Sequence, residues 1–552
     1  MEQLYKRFVR EERLKDGKLV DFSWNIPEDF NFAYDVVDVI AAEDPSRRAL
    51  LWVNDRGEEH DISFAELKEK SEKVAAALLK LGVRRGDTVM LVLKRHYEYW
   101  FSYLALHRIG AVAIPATSQL QTKDFLYRFR MAKVRCVICT SDGEVARFCD
   151  EACADYEGDL IRILHHGERD GWYDLHTLID TAPAFVAPER NRVNDPMMLY
   201  FTSGTSGMPK MVLHDYAYPL GVSAMSMYWH HAVPGGLHLT VAETGWAKAA
   251  WGKMYGAWLA GSAFFIFDCD RFHAADLLEM VSKYKVTTFC APPTIYRFMI
   301  QEDLERFDLS SLTHCVTAGE ALNPEVYNQF KKATGLSLLE GYGQTELFLV
   351  CGTLYDDEVR VGSMGKAFPG IDVDLVDGNG DPVPTGTTGE LVLRLKDGEK
   401  IPGMFCEYYK DPEMTAESRH DGLYHTGDLA WRDEDGYYWY VSRKDDVIKS
   451  SGYRIGPFEV ESVLMEHPAV VECAVTGVPD PLRGAVVKAT IVLAAGYEPT
   501  EELKKELQNY VKTHTAPYKY PRVVEFVKEL PKTISGKIRR LDIRNRDKEN
   551  QQ

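Results

Sequence analysis

The sequence predicts an α/β protein: a large N-terminal region of layered α/β subdomains, a β-rich insert, and a small α+β unit at the C-terminus. Three observations carry this reading. Strand-like apolar runs alternate with amphipathic helical stretches over about the first 400 residues, the pattern of parallel α/β layers. Between about 362 and 435 the texture changes to short strands broken by "DGNGDPVPTGTTGE". After "SRKDDVIKSSGYRIGP" a compact tail reads helix, strand, strand, helix, strand. At 552 residues the chain exceeds a single core, and a size of roughly 100–200 residues per domain suggests about three units.

Along the chain, "SFAELKEKSEKVAAALLKLG" opens with Ser63 and Glu66 spaced as a capping box, then sets Leu67, Val74, Leu78 and Leu81 near one helical face. "DTVMLVL" follows as a buried strand, and "VRCVICT", "SAFFIFD" and "VTTFCA" repeat the pattern. Cys136, Cys139, Cys149 and Cys153 have spacings that could suggest zinc, but "VRCVICT" reads better as a β-branched core strand with buried thiols. The longest apolar run, Ala257 to Phe267, is too short to cross a bilayer. The N-terminal residues are charged and lack an apolar signal core, so a cytoplasmic protein is expected.

The apolar (45%) and charged (27%) shares are those of an ordinary globular protein. A net charge of -18 argues against nucleic acid or an anionic membrane as the main partner. The segment from Thr500 onward reverses the sign, with thirteen Lys/Arg against eight Asp/Glu, which suggests a local anionic ligand.

"YFTSGTSGMPK", Tyr200 to Lys210, follows an apolar run. It is no Walker A loop, because Met208 and Pro209 separate Gly207 from Lys210 and Met211 follows the lysine. Its chemistry still suits phosphate. Thr202, Ser203, Thr205 and Ser206 supply hydroxyls, Gly204 and Gly207 let backbone N–H groups approach an anion, and Lys210 adds charge.

This stretch resembles the signature of the adenylate-forming enzymes, the superfamily of acyl-CoA synthetases, peptide-synthetase adenylation domains and luciferases. Further matches follow in order: "ETGW" (243–246), "AGEAL" (318–322), "EGYGQTE" (340–346), "TGELVLR" (388–394), "YHTGDL" (424–429), "SRKDD" (442–446), "SSGYRIGPFEVE" (450–461) and "PKTISGKIRR" (531–540). The wording of the last motifs, with "APYKYPR", is most similar to the medium-chain acyl-CoA synthetase branch. The resemblance implies an adenylate domain over 1–442 with a β-barrel-like subdomain, a hinge at 443–446 pivoting on Asp445, and a mobile C-terminal lid over 447–552. Ser442 departs from the glycine that usually precedes the arginine, a change that bears on linker freedom and removes no functional group.

The resemblance also implies roles. The 202–210 loop meets the β- and γ-phosphates, Thr345 reaches the α-phosphate, and Glu346 offers Mg²⁺ a hard oxygen. Tyr342 stacks on adenine with Gly319 and Glu320 along the rim, Asp428 takes the ribose hydroxyls, and Glu340, Gly341, Gly343 and Gln344 complete the set. Arg443 and Arg454 pair with ribose and phosphate oxygens. Lys537 neutralises charge during adenylation; without the family it reads as one more exposed lysine. Arg483, Lys512 and Arg522, with Ser451, Gly452, Tyr453, Tyr520 and Pro521, match positions that meet CoA, and Gln119 is a further candidate. Trp246, Trp251, Met254 and Tyr255 fall on the segment that lines the acyl tunnel, where Trp251 would limit chain length; packed core aromatics are the plain alternative.

The expectation is thus an ATP- and Mg²⁺-dependent, AMP-forming acid–thiol ligase acting on a short, medium or branched carboxylic acid with CoA as acceptor. Loading of a carrier protein is the alternative. The sequence leaves monomer and homodimer open.

Overall fold

The computed structural model describes residues 4–202, 208–320, 322–396, 400–451, 453–532 and 537–549. The helix Phe64–Lys80 starts where the capping residues place it, with the Ser63 side chain accepting the Glu66 N–H at 3.2 Å. Its Leu67, Val74 and Leu78 are buried. Thr88–Val92 follows as a wholly buried strand, parallel to Val112–Pro115 on one side and Cys136–Cys139 on the other. The sheet continues in parallel through Ile161–Leu164 to Tyr173–Asp174. On its other flank Pro196–Thr202 runs parallel to Val112–Pro115, then turns back antiparallel into Lys210–Asp215.

A second sheet is parallel through its centre, in the order Leu338–Gly343, His314–Ala318, Thr288–Ala291, Leu237–Thr240, Ala263–Asp268 and Arg48–Asn54, with antiparallel edges. The helix Glu98–Ile109 lies between the sheets and is buried along its whole length. Trp100 packs edge-on against Phe264 of the second sheet at 4.8 Å, and the Tyr103 hydroxyl donates to Met198 Sδ of the first at 3.0 Å. A helix apolar on every face is the sequence signature of such a position.

The long apolar run does not continue as one element. Helix Gly256–Ala260 stops at Gly261, whose φ of +87° favours glycine, and strand Ala263–Asp268 begins. Among the described residues no helix is long and apolar enough to cross a membrane. Cys136, Cys139 and Cys149 are buried in the first layer, and none of the ten cysteines belongs to a metal-ligand cluster among the described residues. Burial pushes the Cys136 and Cys139 thiols well above their usual range.

The β-rich insert is antiparallel: Val373–Val376, Gly389–Arg394, Leu423–Arg432 and Tyr438–Arg443, with the short Arg419–His420 beside them. Its last ladder pair joins Asp428 to Arg443. A small hairpin follows, Ile448–Ser450 with Tyr453–Ile455. The tail then runs helix Pro457–Met465, strands Val470–Asp480 and Gly484–Leu493, helix Glu501–His514 and strand Val523–Val527, the order expected.

One more helix, Arg540–Glu549, was not legible in the sequence. It is almost wholly polar and offers no apolar period. It is held instead by Ile543 in the tail core and by Asp547, which pairs with the buried Lys488. Arg540 and Arg544 reach back to Asp446 at 3.6 and 2.9 Å, and Arg540 also holds Glu461 at 2.7 Å.

Candidate active site

The site gathers at the carboxyl ends of the parallel strands His314–Ala318 and Leu338–Gly343, where open α/β sheets place their ligands. Gly319 leaves the first strand with φ +104°, a conformation costly to other residues. On the second strand, a side chain at Gly343 would sit 2.3 Å from the Phe348 carbonyl oxygen, and one at Gly341 2.9 Å from Trp229. The two glycines therefore let the strand turn tightly onto Leu349–Gly352 and project Gln344, Thr345 and Glu346. Glu340 is buried beside them. Burial raises its carboxyl to about 8, and the Leu322 N–H at 3.3 Å offsets this only in part. Glu320 accepts from Thr294 at 2.8 Å.

Asp428 is the centre of a hydrogen-bonded group. Its Oδ2 accepts from the Tyr342 hydroxyl at 2.5 Å and from Gln344 Nε2 at 2.6 Å, while its Oδ1 lies 3.6 Å from Arg443 Nε. Gln344 is itself fixed, donating to the Thr426 carbonyl at 2.8 Å and accepting from the Tyr424 hydroxyl at 3.1 Å. Burial pushes the Asp428 carboxyl up, against the pull of Arg443, Tyr342, Gln344 and Lys537. Lys537, exposed on the tail, is thus near enough for its charge to act on that carboxylate.

A second group joins Thr202 and Lys210 to Glu346. Thr202 and Lys210 face each other across the ladder at the loop's base. Lys210 Nζ lies 5.1 Å from the centre of the Tyr408 ring, and the Tyr408 hydroxyl donates to Glu346 Oε1 at 2.8 Å. Thr345 is held from behind by His214, whose Nε2 donates to the Thr345 carbonyl at 2.8 Å. Burial lowers the pKa of His214 to about 3, so it stays neutral in this role. Ser203, Gly204, Thr205, Ser206 and Gly207 lie outside the described residues, as does Gly452.

Asp445 follows the last rung of the β-rich sheet. Its carboxylate is 3.6 Å from Arg443 and its carbonyl accepts from Arg544 at 3.2 Å. Arg454 sits apart from Arg443, on the tail hairpin in register with Lys449. Tyr453 and Ser451 share that hairpin. The Tyr453 ring stacks on Tyr518 at 4.1 Å, and the Ser451 N–H donates to the Arg483 carbonyl at 2.9 Å. Tyr518 leads directly to Tyr520, whose ring has Lys512 at 4.0 Å and Arg522 at 4.8 Å, with Pro521 buried between. The CoA candidates of the tail therefore form one connected cationic and aromatic surface. Gln119 lies in the N-terminal region, beside Thr117 and Ser118, which Glu243 holds at 3.0 Å.

The acyl-pocket candidates separate. Residues 250–255 form a π-helical turn, a local widening that is frequent at functional sites. Trp251 stacks on His230 at 5.7 Å, and His230 itself follows a second π-turn, Met225–Trp229. Tyr255 turns into the core, where its hydroxyl meets His107 at 2.8 Å and Tyr103 at 3.2 Å. The common face expected of an ordinary helix is not formed, because the π-turn changes the angle between the two side chains. Met254 is buried, and Trp246, half-buried, caps the short helix before the turn.

The sequence profile of the family described as "AMP-binding enzyme" matches residues 37–405, and that of "AMP-binding enzyme C-terminal domain" matches 459–537. The chain belongs to the AMP-binding enzyme family. Among curated relatives of this AMP-binding enzyme, mouse mitochondrial acyl-coenzyme A synthetase ACSM3 is 43% identical over 96% of the chain and 92% of its own length. Mouse mitochondrial ACSM4 is 44% identical over 95% and 91%. Of solved structures, the anthranilate CoA ligase AuaEII with anthranoyl-AMP superposes with a TM-score of 0.86 at 29% identity, covering 95% of this chain and 98% of that one. An acyl-CoA synthetase from Brucella canis gives 0.70 at 32% identity, covering 95% of both.

Several residues of this AMP-binding enzyme's site escaped the sequence reading. Tyr408 stands in "CEYYKDP", outside every motif quoted above, and only the pairing of its strand with Lys210–Asp215 brings it to Glu346. His214 and His230 look like ordinary core residues until the turns they support are seen.

Proposed function

We propose that this chain is an ATP-dependent, AMP-forming acyl-CoA synthetase. The carboxylate of an acid attacks the α-phosphorus of ATP, the bond to the β-phosphate oxygen breaks, and acyl-AMP and pyrophosphate result. The CoA thiolate then attacks the acyl carbon and AMP leaves. The observation that carries the reading is the convergence of Asp428, Tyr342, Gln344 and Arg443 beside Lys537: Tyr342 and Gln344 lie within the first family match, Lys537 ends the second, and Asp428 and Arg443 stand between the two.

In this reading Asp428 accepts the ribose hydroxyls and Tyr342 covers adenine. The Thr202–Lys210 loop and Thr345 bind phosphate, and Lys537 and Arg443 offset charge as the pentavalent state forms. Glu346 accepts one hydrogen bond, from Tyr408 on Oε1, and a carboxylate has lone pairs to spare, so its donor set fits Mg²⁺. The ion would lower the charge on the phosphates. Asp445 acts as the hinge on which the tail rotates, bringing Lys512, Tyr520, Arg522, Arg483, Ser451 and Tyr453 to CoA. Trp251 closes the acyl tunnel and favours short, medium or branched acids. The relatives' names, acyl-coenzyme A synthetases, support CoA as acceptor. For location we propose the cytoplasm on the sequence reading alone; the named relatives are mitochondrial, and cell fractionation separates the two.

The test is pyrophosphate release from ATP and Mg²⁺ with straight, branched and aromatic acids from acetate to decanoate, with and without CoA. Turnover requiring both acid and CoA supports the ligase and names its substrate class. Release with acid alone, unchanged by CoA, transfers the acceptor role to a carrier protein.

A further inference from the structure

Away from the residues assigned to adenylation, three side chains converge at the carboxyl ends of the first sheet's parallel strands. Glu98 is the first residue of the helix Glu98–Ile109, His165 follows the strand Ile161–Leu164, and His176 lies on the helix Leu175–Asp180. His176 Nε2 is 3.1 Å from Glu98 Oε1 and His165 Nε2 is 3.3 Å from Glu98 Oε2. One ligand atom from each residue falls within 4.8 Å of the other two. Four ligands set tetrahedrally at the usual zinc distance of about 2.05 Å are about 3.3 Å apart; the two contacts end on different Glu98 oxygens, so one ion would draw both imidazoles toward the same carboxylate.

The Glu98 side chain is 3% exposed, and the two imidazoles face its two oxygens. A buried carboxylate needs a compensating positive charge, and a metal ion shared with the two imidazoles would supply it. The surrounding parts fix the ligands. Asp174 caps the helix carrying His176, accepting the Thr177 N–H at 2.6 Å, and the His165 N–H donates to the Cys139 carbonyl at 2.7 Å. The His165 ring stacks flat on His96 at 4.1 Å, and His96 is anchored to Thr140 at 2.8 Å and Asp268 at 3.2 Å. His176 is 41% exposed, which opens the cluster to solvent on one side and gives an ion a way in.

We infer that Glu98, His165 and His176 form a zinc site, with solvent as the fourth ligand, that ties together three segments at the strand ends. Two neutral imidazoles and a carboxylate are a donor set that suits Zn²⁺, while Mg²⁺ and Ca²⁺ prefer oxygen alone. The plain alternative is a carboxylate bridging two histidines with no ion.

The full chain, stripped with chelator, is titrated with Zn²⁺ by calorimetry, its metal content is measured by mass spectrometry, and its thermal midpoint is followed with and without zinc. A single zinc per chain is expected, with a higher midpoint when it is bound. His176→Ala, at the open rim where folding is least at risk, should weaken binding at least about tenfold and remove the thermal shift. His166→Ala, a neighbour 73% exposed and outside the cluster, should change neither. Absence of zinc uptake at micromolar metal, or uptake that survives His176→Ala, overturns the site; so does equal loss in His166→Ala.

Discussion

The Tyr342 hydroxyl and the Asp428 carboxylate meet at 2.5 Å across 86 residues of sequence, and Gln344 donates to the same oxygen at 2.6 Å. One oxygen of the buried carboxylate is therefore committed to orientation, and the other faces Arg443. Hydrogen bonds to a charged group contribute about 1.5–3 kcal/mol. Tyr342→Phe should raise the KM for ATP by roughly tenfold or more, and Asp428→Asn, which sets an amide against two donors, by at least as much. An unchanged KM for ATP in both variants would remove Asp428 from the ribose site.

Lys537 is exposed, so its loss should leave folding intact. Lys537→Ala is expected to reduce acid-dependent pyrophosphate release by about 10²–10³-fold, the usual effect of deleting one charge-stabilising group. Thioester formation from supplied acyl-AMP and CoA should change only a few-fold. Equal losses in both half-reactions would contradict a role confined to adenylation.

Glu340 gives a pH signature. Its folded carboxyl titrates near 8 instead of 4.5 because it is buried. The folded chain then holds a proton that the unfolded chain has released, so this group's contribution is complete below about 4.5 and is lost as pH rises through about 8. The slope reaches up to about 1.4 kcal/mol per pH unit for one proton. Glu340→Gln keeps the acceptor for Leu322 and should flatten the stability profile over that window; a profile of unchanged slope in denaturant unfolding would be inconsistent with the shift.

Trp251→Gly should move the acid preference toward longer chains, raising the ratio of kcat/KM for decanoate over butyrate by about tenfold or more, since each methylene in an apolar pocket discriminates on that scale. Tyr255→Phe serves as the contrast. It removes hydrogen bonds to His107 and Tyr103 and should cost about 1 kcal/mol of stability without altering the acid profile.

Local rules made much of the fold legible. The Ser63 cap, the uninterrupted apolar run at Thr88–Val92 and the helix–strand order of the tail each depend on neighbours in sequence, and each formed as the pattern required. What escaped depends on distant partners. The helix Arg540–Glu549 exists because ion pairs to Asp446, Glu461 and Lys488 hold a polar segment in place. The π-turns at Met225–Trp229 and Ala250–Tyr255 leave no periodic mark. In the site, the ordered motifs picked out Asp428, Tyr342 and Glu346, but not that Tyr408 would link Glu346 to Lys210 from a third strand.

Asp428 and Arg443 occupy the same rung of the last ladder of the β-rich insert. The residue proposed to hold the nucleotide is thus joined through one ladder to the proposed hinge at Asp445. On the proposed mechanism, torque on the linker is transmitted to the ribose carboxylate through one peptide ladder, with no intervening loop to absorb it. Departure of AMP and the swing of the tail are then expected to share a single kinetic phase.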